Sequence, residues 1–272
     1  MGSHYVHNLN PVIFDLGTIL GFGPIQVRWY GLMYVVGFII AGYLLKVLIR
    51  NKFYKITEDK VDSMITTMIL CMFVGARLAY VFIYNWDYYS EHLSELLAVN
   101  KGGLSFHGAL VGLIVGGWIF GRKNKVSLAQ VMDNVALAGS QGLFFGRIGN
   151  FINGELYGRT TDAWVGIIFK DGGPFPRHPS QLYEAFLEGI LLSVFLWFMK
   201  NKVKNYGELS GYFIGGYGIL RFCVEFFREP DSQLGYYFGF LTMGQILCFL
   251  MIIVGVITYF VARRMKEEIS YR

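Results

Sequence analysis

Gly146-Arg147-Ile148-Gly149-Asn150-Phe151-Ile152-Asn153-Gly154-Glu155-Leu156-Tyr157-Gly158-Arg159 is the densest polar stretch in a chain of 272 residues. It follows an apolar segment and holds two arginines, two asparagines, a glutamate and four glycines. Guanidinium groups present a planar fork of donors that matches phosphate or carboxylate oxygens. Amides add further donors, a carboxylate can orient an arginine, and glycine lets backbone come close to a ligand. Together these are the parts of an anion-binding site. Further arginines share its setting: Arg28, Arg77 and Arg221 also fall at or near the ends of apolar segments. A charge at membrane depth costs at least about 2.5 kcal/mol on insertion scales, so such residues mark function by default. Glu155, Glu184, Glu188 and Glu225 can supply part of the counter-charge, and an anionic ligand the rest. An arginine–glutamate lock between helices would explain one such arginine. The whole set reads better as a site for anionic phosphate, with a lipid headgroup as its source.

The elements that must carry these residues are membrane helices. Hydrophobic residues make up 54% of the chain and charged residues only 16%, against about 25% charged in soluble domains. That excludes a water-soluble globule and a disordered chain. The expected fold is all-α and polytopic, one integral-membrane domain over residues 1–272 with about seven spans and a small external head. Trp29–Leu45 and Phe238–Ala262 are uncharged runs of spanning length. Ser63–Tyr84 contains Arg77 and Gly102–Gly121 contains His107; Leu128–Ile148, Gln181–Met199 and Gly207–Phe227 are weaker. The signature stretch opens an external loop of about residues 146–179, whose later part carries Gly172-Gly173-Pro174 and Pro176. Residues 1–27 lack a basic region and a small-residue cleavage site, so insertion is expected from the helices themselves.

Basic residues orient this bundle. Lys46, Arg50, Lys52, Lys55, Lys60, Arg122, Lys123, Lys125, Lys200, Lys202, Lys204, Arg263, Arg264, Lys266 and Arg272 all fall on one side of a seven-span arrangement. By the positive-inside rule that side is cytoplasmic, which puts the N-terminus outside and the C-terminus inside. The net charge of +5 then reflects cytoplasmic loops, not a nucleic-acid partner. The remaining basic residues, Arg28, Arg77, Lys101, Arg147, Arg159, Lys170, Arg177, Arg221 and Arg228, break the pattern and lie toward the outer face.

Other reactive types are sparse. His107, in Ser105-Phe106-His107-Gly108, sits where an imidazole could be a structural hydrogen-bonder or a general base. His178 precedes Pro179 and Ser180 and reads as helix-start structure; His4, His7 and His92 carry no readable signal. No histidine spacing implies a metal. Cys71, Cys223 and Cys248 form no CxxC pair and read as buried packing thiols. Gly108, Gly112 and Gly116 at four-residue spacing allow a neighbouring helix to come close.

The signature resembles that of the bacterial prolipoprotein diacylglyceryl transferases, Gly-Arg-x-Gly-Asn-Phe-x-Asn-x-Glu-x-x-Gly-Arg, throughout Gly146–Arg159. The resemblance extends through Arg28-Trp29-Tyr30-Gly31-Leu32-Met33-Tyr34, Ser105-Phe106-His107-Gly108 and Arg177-His178-Pro179-Ser180-Gln181-Leu182-Tyr183-Glu184. It continues in Tyr217-Gly218, Arg221, Glu225-Phe226-Phe227-Arg228-Glu229-Pro230-Asp231 and Met243-Gly244-Gln245. It implies a seven-span enzyme of the bacterial inner membrane that uses no cofactor. Such an enzyme moves the diacylglyceryl group of phosphatidylglycerol to the lipobox cysteine of a preprolipoprotein and releases glycerol 1-phosphate. The family's critical positions fall on Tyr30, His107, Arg147, Asn150, Asn153, Glu155, Gly158, Arg221, Glu225 and Arg228. On this reading His107, Arg147 and Arg221 are catalytic, Glu155 and Glu225 orient arginines, and the attacking sulfur belongs to the substrate. Thr160–Pro176 is shorter than the external segment of some members. The rival class is a transporter of an anionic solute or lipid, which predicts a midplane site and often an internal repeat; the sequence has no such repeat.

Overall fold

Long uncharged runs satisfy their backbone polar groups in lipid only by folding as helices, and helices dominate the computed structural model. It describes residues 4–18, 24–98, 102–229, 236–237, 239 and 241–269. Lys101, Pro230, Asp231, Phe238 and Arg272, all singled out above, lie outside the described residues. Strands β1 (Tyr5–His7), β2 (Val12–Asp15) and β3 (Gln26–Arg28) precede α1 (Trp29–Arg50). Helix α2 (Val61–Ala79) runs on through a π-helical turn, Tyr80–Tyr84, toward the short α3 (Trp86–Glu91). Then come α4 (Phe106–Asn124), α5 (Leu128–Gly139), α6 (Gln141–Asn153) and β4 (Ile167–Phe169). Helix α7 (Ser180–Glu184) continues through a π-helical segment, Ala185–Leu191, into α8 (Leu192–Met199). The last elements are α9 (Glu208–Glu225), β5 (Tyr236–Tyr237), β6 (Leu241–Thr242) and α10 (Met243–Met265).

Strand β1 pairs parallel with β4, β2 antiparallel with β3, and β5 antiparallel with β6. The all-α expectation is corrected to that extent: the fold is mostly helical with three small strand pairs. The second of these carries Arg28, whose guanidinium donates to the Gln26 side chain. Four described helical stretches are long and apolar enough to cross a membrane: Trp29–Arg50, Glu58–Tyr84, Ser180–Met199 and Met243–Met265. Leu247, Phe249, Leu250, Val254, Ile257 and Phe260 on α10 are all exposed. A continuous apolar surface of that kind is far more than water tolerates and suits lipid. The segments expected as the third, fourth and sixth spans are helical but fall short on length or apolarity. The fourth is broken at Ser140, between α5 and α6.

The chain divides into two compact units, Met1–Leu44 with Val135–Ile269, and Leu45–Asn134 with Ser270–Arg272. In the second unit α2 packs along α4. A Cβ added at Gly112 would run into the backbone of Cys71, and one at Gly116 would lie 3.0 Å from the Met68 Cα. The glycine spacing is therefore a close helix crossing, as its small residues dictate. The Ser105 side chain caps α4 by accepting from the Gly108 amide at 3.1 Å. Arg77 is buried here and donates to the carbonyls of Leu96, Gly102, Gly103 and Glu95 and to the Tyr89 hydroxyl. This arginine organises a loop, which corrects its grouping with the anion-binding arginines.

In the first unit α9 packs along α10, where a Cβ on Gly255 would stand 2.6 Å from the Gly215 Cα. The Thr242 hydroxyl and Gln245 side chain form a capping box that starts α10. The π-helical segment lies on α6, with Gly189 so close that a Cβ would meet the Phe144 Cα at 2.6 Å. Cys248 is buried, Cys71 half-buried and Cys223 exposed, so the packing-thiol reading describes Cys248 best.

Candidate functional site

Arg147 is held by helix, not loop: Gly146–Asn153 form the end of α6, which corrects the expected start of the external segment at 146. The helix ends because Gly154 adopts φ 70°, from which its amide returns to the carbonyls of Asn150 and Phe151. Residues 147 and 150 then share a face, one turn apart. Two residues later Leu156 takes a left-handed φ of 58°, a conformation that costs a non-glycine residue roughly 1–2 kcal/mol. The signature thus leaves the helix through a strained turn, and such strain collects at functional sites.

Helices α6, α7 and α9 and the turn after α9 meet at Glu184, the last residue of α7, whose side chain is fully buried. Its Oε2 receives Arg147 Nη2 from α6 and Arg221 Nη1 from α9, each at 2.7 Å. Its Oε1 receives Arg228 Nη1, just beyond α9, at 2.9 Å. Glu225 accepts from Arg221 Nη2 and lies 3.2 Å from Arg228 Nε; its other oxygen accepts from the Thr242 hydroxyl at 3.3 Å. Glu188 stands one turn beyond Glu184, also fully buried, 3.7 Å from Arg221 and 3.9 Å from Arg147. The three arginine side chains keep 14–20% of their surface exposed. They are oriented by buried carboxylates and remain partly accessible.

A second group flanks this cluster. Asn150 and Asn153 donate their side-chain amides to Glu155 Oε1 at 2.9 and 3.1 Å. Gln181 donates to the Glu155 carbonyl at 2.6 Å. Glu155 therefore holds asparagines, where an arginine was expected. Tyr30, in the first turn of α1, lies against Asn150 and shares a hydroxyl contact of 3.0 Å with Tyr34. A Cβ on Gly149 would reach 2.8 Å from the Tyr30 ring, so that glycine lets the tyrosine seat.

Gly158 sets the third part. Its amide donates to the His178 carbonyl at 2.8 Å, and the residue bridges Arg228 in antiparallel fashion. A Cβ there would collide with the Phe227 carbonyl. The Arg159 amide donates to that same carbonyl and its Nε to the Arg228 carbonyl, so this turn fixes where Arg228 starts. Arg177 spans Gly172, Gly158 and Glu229. His178 Nδ1 meets the Tyr183 hydroxyl at 3.1 Å, and burial holds its imidazole below the usual histidine value. It braces the turn and does not cap α7.

The structure thus brings together Arg147, Arg221, Glu225 and Arg228 directly, with Asn150, Asn153, Glu155, Tyr30 and Gly158 alongside in the same unit. His107 belongs to the second unit, at the start of α4, with Nδ1 3.1 Å from the Tyr84 hydroxyl. The central role of Glu184 was missed: sequence reading named it only as one possible counter-charge. Its signal was present, since Glu184 and Glu188 lie four residues apart in an otherwise apolar helix and so share a face.

Comparison with known proteins points one way. A family model described as prolipoprotein diacylglyceryl transferase matches residues 17–261. A phosphatidylglycerol–prolipoprotein diacylglyceryl transferase of Nitratidesulfovibrio vulgaris (strain DP4) is 47% identical over 248 residues, covering 91% of this chain and 92% of that one. The protein of the same name from Pasteurella multocida is 47% identical, covering 96% of both chains. That from Geobacter sulfurreducens is 44% identical, covering 95% of this chain and 97% of the other.

Proposed function

This chain belongs to the prolipoprotein diacylglyceryl transferase family, and on that premise we propose that it transfers the diacylglyceryl group of phosphatidylglycerol to a lipobox cysteine of preprolipoproteins. The observation that carries the proposal is the meeting of Arg147 and Arg221, from separate helices, on one oxygen of buried Glu184, while each arginine side chain keeps part of its surface exposed. Charged side chains in a membrane helix are costly and mark a functional site by default, which favours an anion as the visitor to this array.

In the reaction the cysteine thiol loses its proton and the sulfur attacks the C3 carbon of the glyceryl moiety. The C3–O bond breaks, its electron pair stays on the phosphate oxygen, and glycerol 1-phosphate leaves with one more negative charge than the diester carried. Arg147 and Arg221 bind the phosphate and meet that developing charge with donors already oriented, the arrangement that favours a transition state most. Arg228 and Glu225 complete the array. Tyr30, Asn150 and Asn153 donate to the headgroup or the peptide, with Glu155 fixing both amides, and Gly158 lets the turn reach Arg228.

His107 is the candidate general base, imidazole being the side chain most often used for that work. On that reading His107→Gln lowers transfer and flattens the acidic limb of its pH profile. Unchanged turnover and profile in that variant would remove His107 from the role, leaving an arginine-lowered thiol to ionise unaided.

We further read the helices as seven spans of the bacterial inner membrane, N-terminus outside, C-terminus cytoplasmic and the arginine site toward the outer leaflet. The outward arginines defy the positive-inside rule because their ligand is an anionic lipid. The test mixes purified protein in lipid with phosphatidylglycerol and a lipobox peptide, following peptide mass and glycerol phosphate release. A diacylglyceryl mass gain is expected with the cysteine peptide and none with its serine counterpart. No gain in a lipid in which an active family member works would overturn the reading.

A further inference from the structure

The arginine cluster contains a carboxylate that its own geometry leaves unsatisfied. Glu184 uses both oxygens on guanidinium groups at 2.7–2.9 Å, and Glu225 uses both on Arg221, Arg228 and Thr242. Glu188 uses neither: both oxygens are buried and accept no hydrogen bond among the described residues. Its guanidinium neighbours stand at 3.7 and 3.9 Å, beyond hydrogen-bond reach. A buried ion normally persists only when it is paired and hydrogen-bonded. Among the described residues the charged and titratable groups facing it are Glu184 from α7, Arg147 from α6, Arg221 and Tyr217 from α9, Arg228 after α9, and Cys248 from α10.

Its position is built, not incidental. The π-helical segment Ala185–Leu191 contains Glu188, and π-bulges inside α-helices are frequent at functional sites. Gly189, its neighbour, is seated on the α6 backbone with no room for a Cβ, which holds the segment against the helix that carries Arg147.

Charge arithmetic then singles out Glu188. Arg147, Arg221 and Arg228 face Glu184, Glu188 and Glu225, so the cluster is balanced with every carboxylate ionised. A phosphodiester monoanion arriving at Arg147 and Arg221 adds one negative charge in a site walled by helices. The carboxylate that yields is the one held by no hydrogen bond. We propose that Glu188 is a proton-exchanging counter-anion: it balances Arg147 and Arg221 while the site is empty, takes one proton from solvent as the headgroup phosphate binds, and returns it when the phosphate leaves. Glu188 is thus a positioning residue that keeps the arginines oriented without holding them so tightly that the lipid cannot take them over. This inference rests on the phosphatidylglycerol reading of the same site.

The test measures binding of phosphatidylglycerol to the full-length protein across the neutral pH range, beside infrared difference spectra taken on lipid addition. In wild type the apparent affinity falls with rising pH, approaching about tenfold per pH unit where one proton is taken up per lipid. A protonated-carboxyl band grows in as lipid binds. In Glu188→Gln the affinity becomes independent of pH and the band is absent. Equal pH slopes in the two proteins, or wild-type binding with neither slope nor band, overturns the inference and leaves the transferase reading standing; the wild-type spectrum decides even if the variant does not fold. No binding at any pH sinks the phosphatidylglycerol reading itself and the inference with it.

Discussion

Arg147→Ala is expected to lower diacylglyceryl transfer by about 10²–10³-fold at saturating phosphatidylglycerol, the usual cost of removing one preorganised donor from a developing negative charge. The protein should stay folded. Glu184 would lose one of three guanidinium partners and keep Arg221 at 2.7 Å and Arg228 at 2.9 Å, so its buried charge remains compensated. Arg147→Lys should recover only part of the rate, because an ammonium cannot hold Glu184 and a phosphate oxygen with one planar fork. The measurement is turnover of purified variants at saturating lipid and peptide, with thermal unfolding recorded on the same samples. Activity within tenfold of wild type in Arg147→Ala would mean that the phosphate is held elsewhere. A large activity loss accompanied by an equal loss of stability would mean that Arg147 is only a helix lock.

What could be seen in the sequence depended on whether the responsible force acts locally. Uncharged runs announce helices because backbone polar groups have few alternatives in lipid, so α1, α2 and α10 were legible, though Leu45 fell short of the α1 end at Arg50 and Phe238 preceded the α10 start at Met243. The Gly108, Gly112 and Gly116 spacing showed a crossing, since only small residues repeat that way on one helix face. The site's arginines and asparagines stood out because each is expensive where it lies. Less legible was anything decided by a partner distant in the chain. Arg77 looks like Arg147 in sequence, yet its donors go to carbonyls of the loop around Glu95 and Gly102. Glu155 lies beside Arg159 and still binds asparagines, because the turn after Gly154 points it back along α6. The break at Ser140 and the π-helical segment at Glu188 carry no proline to mark them. Strand β1, three residues long, pairs with β4 far along the chain, beyond any local pattern.

The second large effect concerns Glu184, which the sequence offers only as one of four possible counter-charges. Glu184→Ala is expected to destabilise the protein by about 3–5 kcal/mol, the range seen when one partner of a buried ion network is removed and the others keep their charge. The geometry puts it at the upper end. Glu184 is fully buried and, among the described residues, is the one carboxylate that Arg147, Arg221 and Arg228 all touch, so its loss leaves three partly buried cations facing each other. Glu225 cannot move in, being tied to Arg228, Arg221 and Thr242, and the remaining carboxylate, Glu188, stands too far off to hydrogen-bond. Glu184→Gln keeps the volume and one acceptor oxygen but not the charge, and should fall between wild type and alanine. Denaturant or thermal unfolding in one detergent, with exposed Glu91→Ala as the surface control, makes the comparison. A Glu184→Ala loss no larger than that control would show that solvent already compensates the arginines and that the network is not what orients them. The transfer rate should fall with stability here, unlike in Arg147→Ala, and adding phosphatidylglycerol should restore part of the unfolding midpoint. The lipid phosphate supplies the anion that the substitution removed, and a ligand that binds only the folded state stabilises it by mass action.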